Sequence, residues 1–204
     1  MRVLLVGVGT VGEAIAKMSA QRDWCETMVL ADYDLARATA LQAQIGDAGR
    51  FPVEKIDAGD SAAVAELARR HRVDLVMNAV DPRFVMPLFD GALAAGVNYM
   101  DMATSLSRSH QTDPFRLPGV KLADEQFARA NEWEAAGRLA LLGMGMDPGL
   151  TDIFAAHAAK HLFDEVHEVH IRDGGDLHIP GYAFAPVFSI WTTIEECLNP
   201  PVIW

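Results

Sequence analysis

The chain has 204 residues, half of them hydrophobic, enough for one large domain or for one domain and part of a second. Its formal net charge of −11 argues against nucleic acid or an anionic membrane as partner and leaves room for a small substrate with some positive charge, such as an amine. Two cysteines, Cys25 and Cys197, lie far apart with no C-x-x-C, which suits a reducing cytoplasm, and the sequence shows no signal peptide and no membrane span of roughly 18 apolar residues.

Val3-Leu4-Leu5-Val6 is an apolar run that reads as a strand buried on both faces. Gly7-Val8-Gly9-Thr10-Val11-Gly12 follows at once as G-x-G-x-x-G. Beyond it Val11, Ala14, Ile15 and Met18 fall on one helical face, so the stretch is strand, glycine turn, helix. In that context Gly7 permits the turn, Gly9 lets a pyrophosphate approach the backbone, and Gly12 lets helix and strand pack closely. The N–H groups of the helix start, at Thr10 and Val11, face the phosphates. Asp32 closes a second strand, Thr27–Ala31, twenty positions after Gly12. A carboxylate there accepts both hydroxyls of an adenosine ribose and repels a 2′-phosphate, so NAD is expected over NADP.

Asp34 is placed to cap a helix over Leu35–Ile45, with Gly46 ending it. Phe51–Ile56 is a third strand, and Asp57 and Ala58 after it lie either beside the adenine or in a plain solvated loop. Ser61 caps a helix to His71, whose Arg69-Arg70-His71-Arg72 cluster suits a helix C-terminus. Val73–Val80 is a fourth strand. Asn78, Ala79 and Val80 at its end are candidates for the wall beside the nicotinamide ribose, unless Asn78 only ties down its own loop. Asp81-Pro82 opens a helix ending at Gly96, and Val97–Met102 is a fifth strand. Residues 104–119 read as a long surface loop or flap, Leu122–Ala136 as one amphipathic helix, and Leu139–Leu142 as a sixth strand. Residues 1–149 thus make a whole doubly wound, parallel α/β (Rossmann) domain.

From residue 150 the pattern changes to α+β. Leu150, Ile153, Phe154, His157 and His161 share a helix face, Glu165–Arg172 reads as a strand, 173–176 as a turn, 177–188 as extended chain, and Ser189–Leu198 as a helix. His157 and His161 suit a half-buried, hydrogen-bonded pair better than a metal site, because the chain has no H-E-x-x-H.

The glycine turn, Asn98-Tyr99-Met100-Asp101 after Gly96, and Gly145-Met146-Asp147-Pro148-Gly149 opening a helix resemble the saccharopine dehydrogenase superfamily. The resemblance runs over essentially the whole chain. It implies a Rossmann domain followed by an α+β substrate domain that mediates dimerisation, here 150–204. It implies hydride transfer between a nicotinamide and a carbon bonded to nitrogen, through an imine, in a homodimeric enzyme. Asp101 matches the acidic residue near the reacting centre in that family, and Tyr99 beside it is a substrate-side candidate. A loop cap is the plainer reading of Asp101. Gly149 and Leu150 match a helix start that presents N–H groups to the site. Arg172, Asp173, Tyr182 and Trp191 are further places for substrate contacts. Met144 and Arg83 depart from saccharopine reductases, which tend to carry Cys and Tyr there, so saccharopine itself is a poor expectation. Family members usually continue through further strands, so the substrate domain reads as incomplete. Two other readings stay open. One is a synthase using bound NAD as a redox relay, as homospermidine synthase does; the other is a nicotinamide-sensing module without catalysis.

Overall fold

The computed structural model describes residues 1–102, 105–172, 174, 178–183 and 190–200. The expected turn at 173–176, with Asp173, most of the extended run 177–188, the Ser189 cap and the end of the chain at 202–204 lie outside the described residues. Apolar runs too short for helices and flanked by glycine or polar turns form the central strands. They are β1 (Arg2–Val6), β2 (Thr27–Asp32), β3 (Val53–Lys55), β4 (Leu75–Asn78), β5 (Asn98–Met100), β6 (Leu106–Arg108), β7 (Val120–Lys121) and β8 (Ala140–Leu141). Six of them form one all-parallel sheet in the order β3-β2-β1-β4-β5-β8. The order reverses between β1 and β4, and that reversal opens a crevice at the carboxyl ends of the strands.

The helices are α1 (Thr10–Ala20), α2 (Leu35–Ile45), α3 (Ser61–Arg70), α4 (Val85–Ala95), α5 (Leu122–Phe127), α6 (Ala130–Ala135), α7 (Leu150–His161) and α8 (Ile190–Leu198), with a 3-10 turn at Pro82–Phe84. Side chains alternate across a strand, so β1 sends Val3 and Leu5 to one layer and Leu4 and Val6 to the other. The first layer packs on Ala16 of α1 and on Ala38 and Leu41 of α2. The second packs on Val64 and Leu67 of α3, on Leu88 and Phe89 of α4, and on Leu122 and Trp133. This two-sided burial explains why the strands read as continuous apolar runs.

The structure moves several expected boundaries. Asp34 caps α2 through Ala36 N, and Gly46 ends that helix at φ 79° as expected. Asp60, not Ser61, caps α3, accepting from Ala62 N and Ala63 N at 3.0 Å each. The buried face of α1 is Gly12, Ala16 and Ser19, while Val11 and Met18 are exposed. The expected apolar face is therefore turned partly from the sheet, and of its residues Ile15 packs against the core. The helix crosses the sheet closely enough that a Cβ on Gly12 would fall on the Gly7 carbonyl oxygen, so small residues take the contact. The supposed loop 104–119 is bounded by an antiparallel β6–β7 pair. The single helix expected over Leu122–Ala136 is two, α5 and α6, separated at Ala128-Arg129. Glu165–Arg172 forms no strand and is exposed, because no neighbouring strand among the described residues pairs with it. His157 and His161 are exposed rather than half-buried, with ring centroids 4.8 Å apart. Among the described residues no helix is long and apolar enough to cross a membrane.

Candidate active site

A cleft of about 1250 Å³ lies over the carboxyl ends of β1, β2 and β4. Ten residues expected on the cofactor side line it together: Gly7, Gly9, Thr10, Val11, Asp32, Asp57, Ala58, Asn78, Ala79 and Val80. Gly12 does not line it; it sits beneath, as the contact point of α1 with the turn. The turn is pinned from both sides, because Gly7 N donates to Ala31 O and Ala79 N donates to Val6 O, each at 2.8 Å. Gly7 has φ 95°, and a Cβ there would press within 2.6 Å of Ala79 O, so both conformation and packing require glycine. Gly9 is different. Its backbone is extended, and a Cβ there would meet nothing within 4 Å. The space above Gly9 is open cleft.

Gly9 is also the N-cap of α1, and no side chain caps the helix. The first-turn N–H groups therefore face the cleft with the positive end of the helix dipole behind them, which suits a diphosphate. Asp32 is almost fully buried at the edge of the cleft. Its Oδ2 accepts from Val8 N and its Oδ1 from Asp34 N, both at 2.9 Å. Those bonds fix the carboxylate against the glycine turn, and each oxygen keeps a further lone pair for a ligand hydroxyl. Asp57 accepts from Gly59 N at 2.8 Å, which shapes the loop after β3.

Sequence reasoning missed part of the lining. Tyr33, Arg37 and Lys55 gather around Asp32. Lys55 was legible in principle, since the parallel register sets it opposite Asp32. Asp81, Arg83, Met102, Ser105, Asp147 and Thr192 also line the cleft. Arg83 is held by Asp81, with Nε to Oδ1 at 2.9 Å and Nη2 to Oδ2 at 3.3 Å. That partner pushes the guanidinium pKa up, so Arg83 stays cationic. Arg83 and Asp147 give the lining both signs of charge.

The residues expected to meet substrate are not in the cleft. Asp101 is fully buried, and its carboxylate accepts from Gln126 Nε2 and from Gly143 N, each at 2.7 Å. Burial pushes its pKa up. Tyr99 is also fully buried, edge-on to Phe89, and its hydroxyl accepts from Asn78 Nδ2 at 3.0 Å. The β5 side chains at 99 and 101 point into the helical layer, not up into the crevice, which is why they are covered. The start of α7 does not present free amides either. Gly149 N donates to Asp152 Oδ2 at 2.9 Å, Leu150 N to Gly145 O at 3.0 Å and Thr151 N to Met146 O at 3.1 Å. The preceding Asp147 and Pro148 reach the cleft instead. Arg172 is exposed and away from it. Among the described residues no group of three or more His, Cys, Asp or Glu side chains is placed to hold a metal ion.

The chain is also similar to known proteins. The chain is 32% identical over 198 residues to a carboxyaminopropylagmatine dehydrogenase of Synechocystis sp., covering 96% of this chain and 46% of that protein. It is 28% identical to a carboxynorspermidine synthase of Vibrio cholerae, across the whole of this chain and 50% of that protein. The chain thus spans about half the length of the curated relatives it matches. A solved structure of apo saccharopine dehydrogenase (L-Glu forming) from Saccharomyces cerevisiae superposes with a TM-score of 0.60 at 19% identity, covering 79% of this chain and 31% of that one, which shows a shared fold. Residues 3–141, more than half of the chain, match the family described as saccharopine dehydrogenase NADP binding domain. The chain belongs to the saccharopine dehydrogenase family through this nucleotide-binding domain.

Proposed function

We propose that this protein is a nicotinamide-dependent oxidoreductase acting on the carbon–nitrogen bond of an amino-acid-derived amine or imine, with NAD preferred. The observation that carries this reading is the meeting, in one cleft, of the uncapped start of α1 with the Asp32 carboxylate. In this reading the first-turn amides hold the diphosphate, Asp32 accepts the adenosine ribose hydroxyls, and Asn78, Ala79 and Val80 flank the nicotinamide end. The bound dinucleotide supplies hydride chemistry. The protein's part is to hold the reacting carbon within about 3–3.5 Å in an aligned pose. Arg83 is placed to take a substrate carboxylate, and Asp147 a substrate cation. The relatives' names support a substrate with both groups, since they denote carboxylated and amino-bearing compounds. The reading also includes a nucleotide domain over 1–149, a substrate domain from 150 and a homodimer. The uncovered apolar side chains of α7 and α8, Phe154 and Trp191 among them, support the dimer.

A second reading of the cofactor rests on Arg37 and Lys55. Both line the cleft near Asp32, and two cations there suit a 2′-phosphate. The family's description as an NADP binding domain favours the same alternative. Titrating the protein with NADH and NADPH separates the two. We expect tighter NADH binding, and we expect Asp32→Ala to weaken NADH by roughly tenfold with a smaller effect on NADPH. Tighter NADPH binding, weakened by Arg37→Ala, would favour the second reading. Reduction of the nicotinamide by a carboxylated amine, and not by hydroxy acids, tests the reaction class.

A further inference from the structure

Tyr99 is fully buried in β5, yet its hydroxyl meets a residue that lines the cleft. The β4–β5 register sets Tyr99 beside Val76. Side chains two apart share a face of a strand, so Asn78 stands one step further along on that face. The Tyr99 ring has Phe89 edge-on to it, with centroids 5.4 Å apart, and Trp133 against it at 6.3 Å. Those rings fix where the hydroxyl stands. Asn78 Nδ2 donates to it at 3.0 Å.

The other half of the Asn78 amide is also engaged, and that decides its orientation. Val80 N can only donate, so the side-chain oxygen faces Val80, at 3.0 Å, and the nitrogen faces Tyr99. Nδ2 carries two N–H groups, and the hydroxyl takes one of them. Among the described residues nothing else accepts from Nδ2. The loop that Asn78 holds lies against the glycine turn. A Cβ on Gly7 would fall 2.5 Å from Val80 Cγ1 and 2.6 Å from Ala79 O. The place of one amide thus bears on the wall at Val80 and on the turn at Gly7.

We propose that Tyr99 is a positioning residue that acts through Asn78. Its hydroxyl holds the amide so that the oxygen secures the loop at Val80 and the second N–H is offered to an oxygen of the ligand in the cleft. This rests on reading the cleft as a nicotinamide dinucleotide site. A plain core role for Tyr99 requires no route through Asn78. The proposal requires that the effect of removing the hydroxyl disappear once Asn78 is gone.

A double-mutant cycle of Tyr99→Phe and Asn78→Ala tests that requirement. Tyr99→Phe removes one hydroxyl and keeps the aromatic packing. NADH affinity and ligand-free amide hydrogen exchange are measured on the wild type, both single variants and the double variant. The proposal expects Tyr99→Phe to weaken NADH by roughly fivefold in the wild-type background and by less than about twofold in Asn78→Ala. It expects Tyr99→Phe to speed exchange at Val80 by roughly fivefold with Asn78 present and not without it, while Leu30 in β2 keeps its wild-type rate. Equal losses of affinity in the two backgrounds, no loss in either, or exchange at Leu30 that rises as much as at Val80 overturns it. If Asn78→Ala does not fold, Asn78→Leu closes the same cycle. Failure of NADH to bind the wild type overturns the functional reading instead. The exchange arm, which needs no ligand, then still decides whether Tyr99 acts through Asn78.

Discussion

Asp32 and Asp101 are both buried acidic residues at the carboxyl edge of one sheet, and both accept from backbone amides, yet only Asp32 borders the cleft. Asp32 was legible because its position depends on a short local unit: strand, glycine turn, helix, strand. The glycine spacing sets the offset, and the register does the rest. The burial of Asp101 was not legible. It depends on Gln126 and Gly143, which lie 25 and 42 residues further along the chain. No local pattern announces that α5 will cover β5. A pH prediction follows from the covered state. Burial raises the pKa of Asp101 above its ordinary value. Between the ordinary and the raised value the folded state binds more protons than the unfolded one, so unfolding free energy falls as pH rises through that window. Urea midpoints measured across it should therefore drop relative to those of Asp101→Asn as pH rises. Equal slopes would mean the buried carboxyl is not under strain from desolvation.

At the scale of elements, the period of α1 was readable and its phase was not. Val11, Ala14, Ile15 and Met18 are the most apolar face, but packing distance, not hydropathy, decides which face meets the sheet. The glycine turn brings α1 so close that Gly12, Ala16 and Ser19 take the contact. The parallel strands were readable because both faces are buried. The β6–β7 pair was not, because its strands have 3 and 2 residues and lie in polar, proline-bearing sequence. Arg129, at the break between α5 and α6, pairs with Glu132 in α6 and Asp90 in α4, so a tertiary contact sits where sequence periodicity shows one continuous helix. The second and third glycines of the turn separate packing from binding. Gly12→Ala forces a Cβ onto the Gly7 carbonyl, and we expect a loss of about 1–3 kcal/mol in urea unfolding. A change within about 0.5 kcal/mol would show that the helix can back away from the turn at little cost. At Gly9 a Cβ enters open space in an extended backbone, so Gly9→Ala should unfold at the wild-type midpoint.

For the molecule as a whole, the cleft depends on the doubly wound sheet, and nearly all of it comes from the first 149 residues, with Thr192 of α8 as an addition. The later segment contributes little burial of its own. No residue of α7 is buried, and Phe154, Leu162, Phe163 and Trp191 are all more than 60% exposed. The sequence suggested a change of pattern at residue 150, where the described residues form α7 and α8, and could not show what those helix faces pack against, since that depends on contacts outside each helix. We propose that a dinucleotide's phosphates lie in the open space at Gly9. Calorimetric titration of NADH into the wild type and into Gly9→Ala tests it most directly. We expect saturable binding of one NADH per chain in the wild type, and binding weaker by roughly tenfold or more in Gly9→Ala at an unchanged unfolding midpoint. Equal affinity in the two proteins, or no saturable binding in the wild type, would contradict it.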